Sequence, residues 1–177
     1  VFDLDLIDLS FSDIVDSDFT GAILTDAILD NVYLGNSIFT DADFTDASFR
    51  RAIVRAGNFD GAIFSGTDLS NSQWSCAPDP DGDSSSAFPD LCPSFIAADF
   101  RAADLTSAFF GPETAGDRLV FSAVNFRGAD LSGAVFVGFS EPCLAPIFPA
   151  TAWPCARWGA EPAPVPHKLV PGMAMLR

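Results

Sequence analysis

Ala22-Ile23-Leu24-Thr25-Asp26, Ala42-Asp43-Phe44-Thr45-Asp46 and Ala62-Ile63-Phe64-Ser65-Gly66 share one pattern: a small residue, a variable one, a large apolar one, and two residues suited to turns. The pattern runs outward from them in both directions. A large apolar residue returns at every fifth position from Leu4 to Trp74, through Leu9, Ile14, Phe19, Leu24, Leu29, Leu34, Phe39, Phe44, Phe49, Val54, Phe59, Phe64 and Leu69. A small residue precedes most of them by two positions, as do Ser12, Ala27, Ala52 and Gly57, with Phe2, Ile7 and Val32 as larger exceptions.

A period of five fits neither regular element. On an α-helix a step of five advances the apolar position by about 140° and spreads it around the circumference. In a flat strand side chains alternate with period two, so an odd repeat sends successive large residues to opposite faces. A short strand with a bend in every repeat resolves the conflict: each five-residue side points its small and its large residue inward, and the rest turn a corner. Four sides close a coil of about twenty residues, and coils stack at roughly 4.8 Å. The predicted core columns are Leu4, Leu24, Phe44 and Phe64 on side one, and Leu9, Leu29, Phe49 and Leu69 on side two. Side three stacks Ile14, Leu34, Val54 and Trp74; side four stacks Phe19, Phe39 and Phe59. Burying one such side chain is worth about 1.5–3 kcal/mol. Pairs such as Thr20-Gly21, Asp30-Asn31, Gly35-Asn36, Asp60-Gly61 and Ser70-Asn71 suit the corners.

The segments quoted first resemble the pentapeptide-repeat family. The resemblance implies an all-β fold, a right-handed quadrilateral β-helix, and it covers most of the chain. Counting sides predicts nearly six coils, a rod of roughly 28 Å, over residues 1–138. A loop insertion at 75–94, rich in Pro, Gly, Ser and Asp, and a shorter register break at 111–118 interrupt it. The frame resumes at Phe95 or Phe100, and again at Phe121, Phe126, Leu131 and Phe136. Residues 139–177 read as an irregular, disulfide-closed cap and a Pro-rich extended tail.

With 177 residues, 49% of them hydrophobic and 18 of them phenylalanine, the chain can fill such a core. No apolar run approaches the roughly 18 residues of a membrane span. The first residue is Val1, which fits an upstream segment having been removed, a targeting peptide being one explanation.

Catalytic constellations are scarce, and we expect no enzyme and no cofactor. The one histidine, His167, stands in the Pro-rich tail, so neither a serine triad nor a cysteine–histidine pair has a base. Four cysteines divide between two irregular segments, and the local pairings are Cys76 with Cys92 and Cys143 with Cys155, among three connectivities. The CxxC spacing of a zinc site is missing, so disulfides are expected rather than a metal. They point to an oxidising compartment: a plastid lumen, a periplasm or the extracellular space. Asp79, Asp81 and Asp83 space oxygens as a calcium loop does, but the sixth position is Ser84 rather than glycine, which favours a solvated acidic turn.

The net charge is −15, and 13 acidic against 3 basic side chains fall in the first 75 residues. The resemblance makes this relevant, because some members of the family bind topoisomerases by imitating duplex DNA, and the charge density matches about ten phosphates over the same length. Distribution argues against mimicry. The outward middle positions carry Ile23, Ile28, Tyr33 and Ile38 around one coil, with Ile53 and Ile63 above them, while Arg50, Arg51 and Arg55 gather near one corner. An apolar belt of this kind marks a protein contact. The expected function is a non-catalytic docking protein with a protein partner and no direct nucleic-acid contact. By analogy with the family it is a peripheral subunit of a photosynthetic membrane complex in the thylakoid lumen. The alternative is a cytosolic gyrase-binding DNA mimic of the quinolone-protection type.

Overall fold

The structure, a computed structural model, describes residues 2–76, 92–111, 119–136 and 174–175. Seven short strands form one parallel sheet in chain order: β1 (Asp13–Val15), β2 (Tyr33–Gly35), β3 (Ile53–Arg55), β4 (Gln73–Ser75), β5 (Phe109–Phe110), β6 (Val135–Phe136) and β7 (Ala174–Met175). Ile14 lies over Leu34, Leu34 over Val54, Val54 over Trp74, Trp74 over Phe110 and Phe110 over Phe136. This sheet is side three. The other sides are tied by single parallel bridges, such as Asp3 to Ile23 to Asp43 to Ile63 on side one. The chain is a right-handed quadrilateral β-helix.

Because every coil repeats the last, like residues stack on like. On side four Phe19, Phe39, Phe59, Phe95 and Phe121 form one column, with neighbouring ring centroids 5.0, 5.1, 5.5 and 4.7 Å apart. On side one Phe44, Phe64, Phe100 and Phe126 follow at 5.0, 4.6 and 5.1 Å. These distances are close to the coil spacing of about 4.8 Å, so backbone pairing and ring stacking are met by the same translation. Trp74, the largest fully buried side chain among the described residues, donates its indole N–H to the Ser72 hydroxyl at 2.8 Å. The frame resumes at Phe95, since Ser94 pairs with Asn58 and the Phe95 ring lies on Phe59. Ser75, in β4, and Ser94 both belong to the coil, inside the span expected to be loop. Cys76 and Cys92 are joined, with Cα atoms 3.8 Å apart. Cys143, Cys155 and the acidic run Asp79 to Asp83 lie outside the described residues.

The corners follow one rule. In nearly every repeat the residue two places after the large core residue has a positive φ, as at Asp26 (53°), Asn31 (56°), Asp46 (58°) and Gly66 (71°). Asp, Asn and Gly tolerate this left-handed conformation, which explains the turn pairs in the sequence. After sides one, two and four the turn is closed by a backbone hydrogen bond across three residues, as from Ala27 N–H to the Leu24 carbonyl and from Ala62 N–H to the Phe59 carbonyl. The corner after side three differs. There the Ser17 N–H donates to the Ser37 hydroxyl, and the Ser37 hydroxyl donates to the Gly35 carbonyl at 3.0 Å.

Both interruptions of the repeat fall at this open corner. β4 ends at Ser75 and side four restarts at Ser94; β5 ends at Phe110 and side four restarts at Val120; β6 is again the last strand before residues outside the description. Extra residues there break no backbone hydrogen bond across the turn; they cost loop closure, which grows by about 0.6 kcal/mol per doubling of length, and at most a serine hydroxyl contact such as Ser37 to Gly35.

Two outcomes are expected. Phe44→Ala lowers unfolding free energy by about 3–5 kcal/mol in denaturant titration, because Phe44 is fully buried and stacked on Phe64. A Gly-Ser-Gly-Ser insertion between Asn36 and Ser37 leaves a cooperative thermal transition within a few degrees of the parent. The same insertion between Asp46 and Ala47 breaks the Ala47 N–H to Phe44 carbonyl bond and lowers the transition more. The difference is the net worth of a hydrogen bond, about 0.5–1.5 kcal/mol, plus register strain.

Candidate interaction surface

The middle residue of each side points outward, and the coil stack turns these residues into vertical columns. Side one reads Asp3, Ile23, Asp43, Ile63, Asp99, Asn125, and side two reads Asp8, Ile28, Ser48, Asp68, Asp104, Asp130. Side four reads Asp18, Ile38, Asn58, Ser94, Val120. Side three reads Asp13, Tyr33, Ile53, Gln73, Phe109, Val135 and is the most apolar.

The expected belt therefore takes a different shape. Ile23, Ile28, Tyr33 and Ile38 stand on four different sides, so one flat partner meets only one of them. Ile63 is separated from Ile23 by Asp43. Ile23, Ile28, Ile38 and Ile53 are each about 40% exposed (38%, 40%, 43% and 40%), whereas Tyr33 and Ile63 are half-buried. Only Tyr33 and Ile53 are vertical neighbours, and beyond Gln73 the same column carries Phe109 and Val135. Sequence spacing missed those two because the interruptions break the step of twenty that links one coil to the next. The Tyr33 ring lies across Gly35, whose missing Cβ would stand 3.1 Å from it, so the ring lies along the sheet.

The carboxylates of the columns are largely committed to their own turns. Asp8, Asp18, Asp43, Asp68, Asp104 and Asp130 each accept the backbone N–H two residues on, at 2.8–2.9 Å. Hydrogen bonds from Ser10, Thr20 and Ser132 hold the carboxyls of Asp8, Asp18 and Asp130 below their ordinary value.

The three arginines are placed unequally. Asp30 is 7% exposed and accepts from the Ser48 hydroxyl, the Arg50 N–H at 3.1 Å and the Arg50 guanidinium at 2.9 and 2.5 Å. Burial works against its ionisation, but the Arg50 and Ser48 hydrogen bonds and the Arg50 charge outweigh that and lower its pKa. Arg51, at the corner between sides two and three, donates Nε to the Asn31 amide oxygen at 3.0 Å. Arg55 stands on β3 itself, two residues after Ile53 and on the same outward face. Among the described residues no group of three His, Cys, Asp or Glu side chains is placed to hold a metal ion, and no helix is long and apolar enough to cross a membrane.

A carboxylate whose folded pKa is lowered stabilises the fold above its unfolded pKa, about 3.9, and loses that contribution as pH falls through the folded value. Asp30→Asn is expected to lower the melting temperature by several degrees at pH 7 and to converge on the parent near pH 2–3. A constant offset at all pH values contradicts the ionic origin.

Three overlapping stretches, residues 3–41, 27–66 and 42–73, match the family model for pentapeptide repeats, in eight copies. No curated protein matches the chain. Among solved structures, a pentapeptide repeat protein from the Arabidopsis thaliana thylakoid lumen is similar at 18% identity, over 74% of this chain and 69% of that one, with a TM-score of 0.37. HetL, involved in heterocyst differentiation regulation in the cyanobacterium Nostoc, is 17% identical over 75% and 79%, with a TM-score of 0.30. QnrB1, a plasmid-mediated fluoroquinolone resistance protein, is 16% identical over 77% and 78%, with a TM-score of 0.34. By the repeat match, residues 3–73 belong to the pentapeptide-repeat family, and the square coil built on that repeat continues among the described residues to Phe136.

Proposed function

We propose that this protein is a non-catalytic docking protein that binds a protein partner broadside through side three. The observation that carries the reading is the column of Tyr33, Ile53, Gln73, Phe109 and Val135, apolar or aromatic at every rung but Gln73, on the one side that forms a continuous sheet. On sides one and two the outward isoleucines alternate with aspartate or serine, and carboxylates there are tied into turns. Two apolar pairs stacked coil on coil, Tyr33 with Ile53 and Phe109 with Val135, are the stronger mark of a protein contact.

The Cys76–Cys92 disulfide supports an oxidising compartment, because a bridge of this kind is reduced in the cytosol. We favour the thylakoid lumen, with periplasm and extracellular space as alternatives, and a peripheral place on a photosynthetic membrane complex. The gyrase-binding alternative has less in its favour, since carboxylates engaged by their own backbone are poorly placed to stand in for phosphates.

Tyr33→Asp and Ile53→Asp are expected to leave the melting temperature within a few degrees of the parent. Each should reduce co-purification with the partner from native membranes at least tenfold, while Ile38→Asp on side four does not. Loss on Ile38→Asp with retention on Ile53→Asp overturns the assignment of side three. Inhibition of gyrase supercoiling at stoichiometric amounts overturns docking in favour of the DNA mimic.

A further inference from the structure

The first coil departs from the others along side three. Phe11, at the corner between sides two and three, is 78% exposed, and Val15, at the far end of β1, is 47% exposed. Later coils place Asn31, Arg51 and Asn71 at that corner, and Gly35, Arg55 and Ser75 at the end of the strand. Phe11 has a φ of 60°, a left-handed conformation that strains a bulky side chain and that asparagine tolerates. Corner residues stay exposed with a coil on either side, as Arg51 and Asn71 do, so the exposure of Phe11 belongs to its place in the square. Between the two apolar residues stands Asp13, exposed, and among the carboxylates of the first coil it alone accepts no hydrogen bond within the described residues.

We propose that this end of side three receives a basic protein segment, whose lysine or arginine meets Asp13 while its apolar residues rest on Phe11, Val15 and Tyr33. The inference rests on the docking reading above and adds the chemistry of the partner. Tyr33 lies on the rung above Asp13, its ring crosses Gly35, and Val15 Cγ2 is 3.4 Å from where a Gly35 Cβ would stand, so Asp13, Val15 and Tyr33 form one patch beside Phe11. Asp13 and Val15 face outward two residues apart on β1, about 6.6 Å, which is also the separation of alternate side chains in an extended segment. Charge selects the occupant: residues 1–49 contain no Lys, Arg or His, and Asp3, Asp5, Asp8, Asp16 and Asp18 share the coil of Asp13. Backbone polarity acts in the same sense. On side one the Leu4 and Leu6 N–H groups donate to the Ile23 and Thr25 carbonyls, against one bond back from Ile23 N–H to the Phe2 carbonyl, and sides two and four repeat this. The net carbonyl dipole is therefore negative toward the first coil. Arg51 and Arg55 begin two coils away, about 9.6 Å, beyond the screening length of about 8 Å at physiological ionic strength. A second copy of this end would set carboxylate against carboxylate, and an acidic segment is repelled for the same reason.

The test uses fluorescence anisotropy at physiological ionic strength with three labelled synthetic peptides: one alternating leucine and lysine, one alternating serine and lysine, and one alternating leucine and glutamate. The proteins are the full chain, Asp13→Asn, Phe11→Asn, and Asp26→Asn, which removes the same charge from an exposed corner of the second coil. The leucine–lysine peptide is expected to bind the full chain and Asp26→Asn alike, and to bind Asp13→Asn and Phe11→Asn at least tenfold more weakly. Phe11→Asn should melt at or above the temperature of the parent, because asparagine suits the left-handed corner. The serine–lysine peptide should bind the full chain at least tenfold more weakly than the leucine–lysine peptide, and the leucine–glutamate peptide should not bind.

Equal binding of the two lysine peptides, or equal loss on Asp26→Asn and Asp13→Asn, reduces the effect to the general field of an acidic molecule and overturns the proposal. A lower melting temperature for Phe11→Asn with unchanged binding makes Phe11 a packing residue and does the same, as does no binding of the leucine–lysine peptide. A dimer of the full chain in sedimentation equilibrium that Phe11→Asn disperses overturns it in favour of a second copy. Each of these results leaves side-three docking to be judged by Ile53→Asp in membrane co-purification.

Discussion

The structure depends on one translation. Parallel hydrogen bonding sets successive coils about 4.8 Å apart, and that is also a distance at which aromatic rings lie face to face. Phe64 on Phe100 at 4.6 Å and Phe95 on Phe121 at 4.7 Å satisfy both at once. Any residue that fits the lumen in one coil therefore fits in the next, and the sequence can repeat without a second packing problem to solve. It also couples every coil to its neighbours, so stability belongs to the stack and not to single coils.

Much of this could be read from the residues. Period five admits no helix and no flat strand, and the inward positions from Leu24 to Trp74 are buried as the columns require. The corners were legible because the left-handed position falls on Gly21, Asp26, Asn31, Asn36, Gly61, Gly66 and Asn71. Less legible corners are Arg51, Ala56 and Ala102, where the repeat imposes the same φ on residues that do not favour it. Local preference yields there to the register of the coil.

The outer surface was harder to read. A sequence orders residues along the chain, and Ile23, Ile28, Tyr33 and Ile38 look continuous in that direction. In space they diverge, and neighbours lie at right angles to the chain, Tyr33 on Ile53 and, past Gln73, Phe109 on Val135. Tracing that direction requires knowing how many residues separate one coil from the next, and the interruptions of the repeat after Ser75 and Phe110 hide the count. The same holds for charge: a count of acidic side chains includes Asp43 and Asp68 without showing that each caps its own turn.

β7 adds a further consequence. Ala174 and Met175 pair with Val135 and Phe136, so the last rung of side three is supplied by residues from the far end of the chain. The hydrogen-bonding margin of β6 is thereby occupied, and β7 becomes the outermost strand of the sheet. Any strand that lengthens the ladder at that end must pair with β7 and not with the rung that carries Phe136.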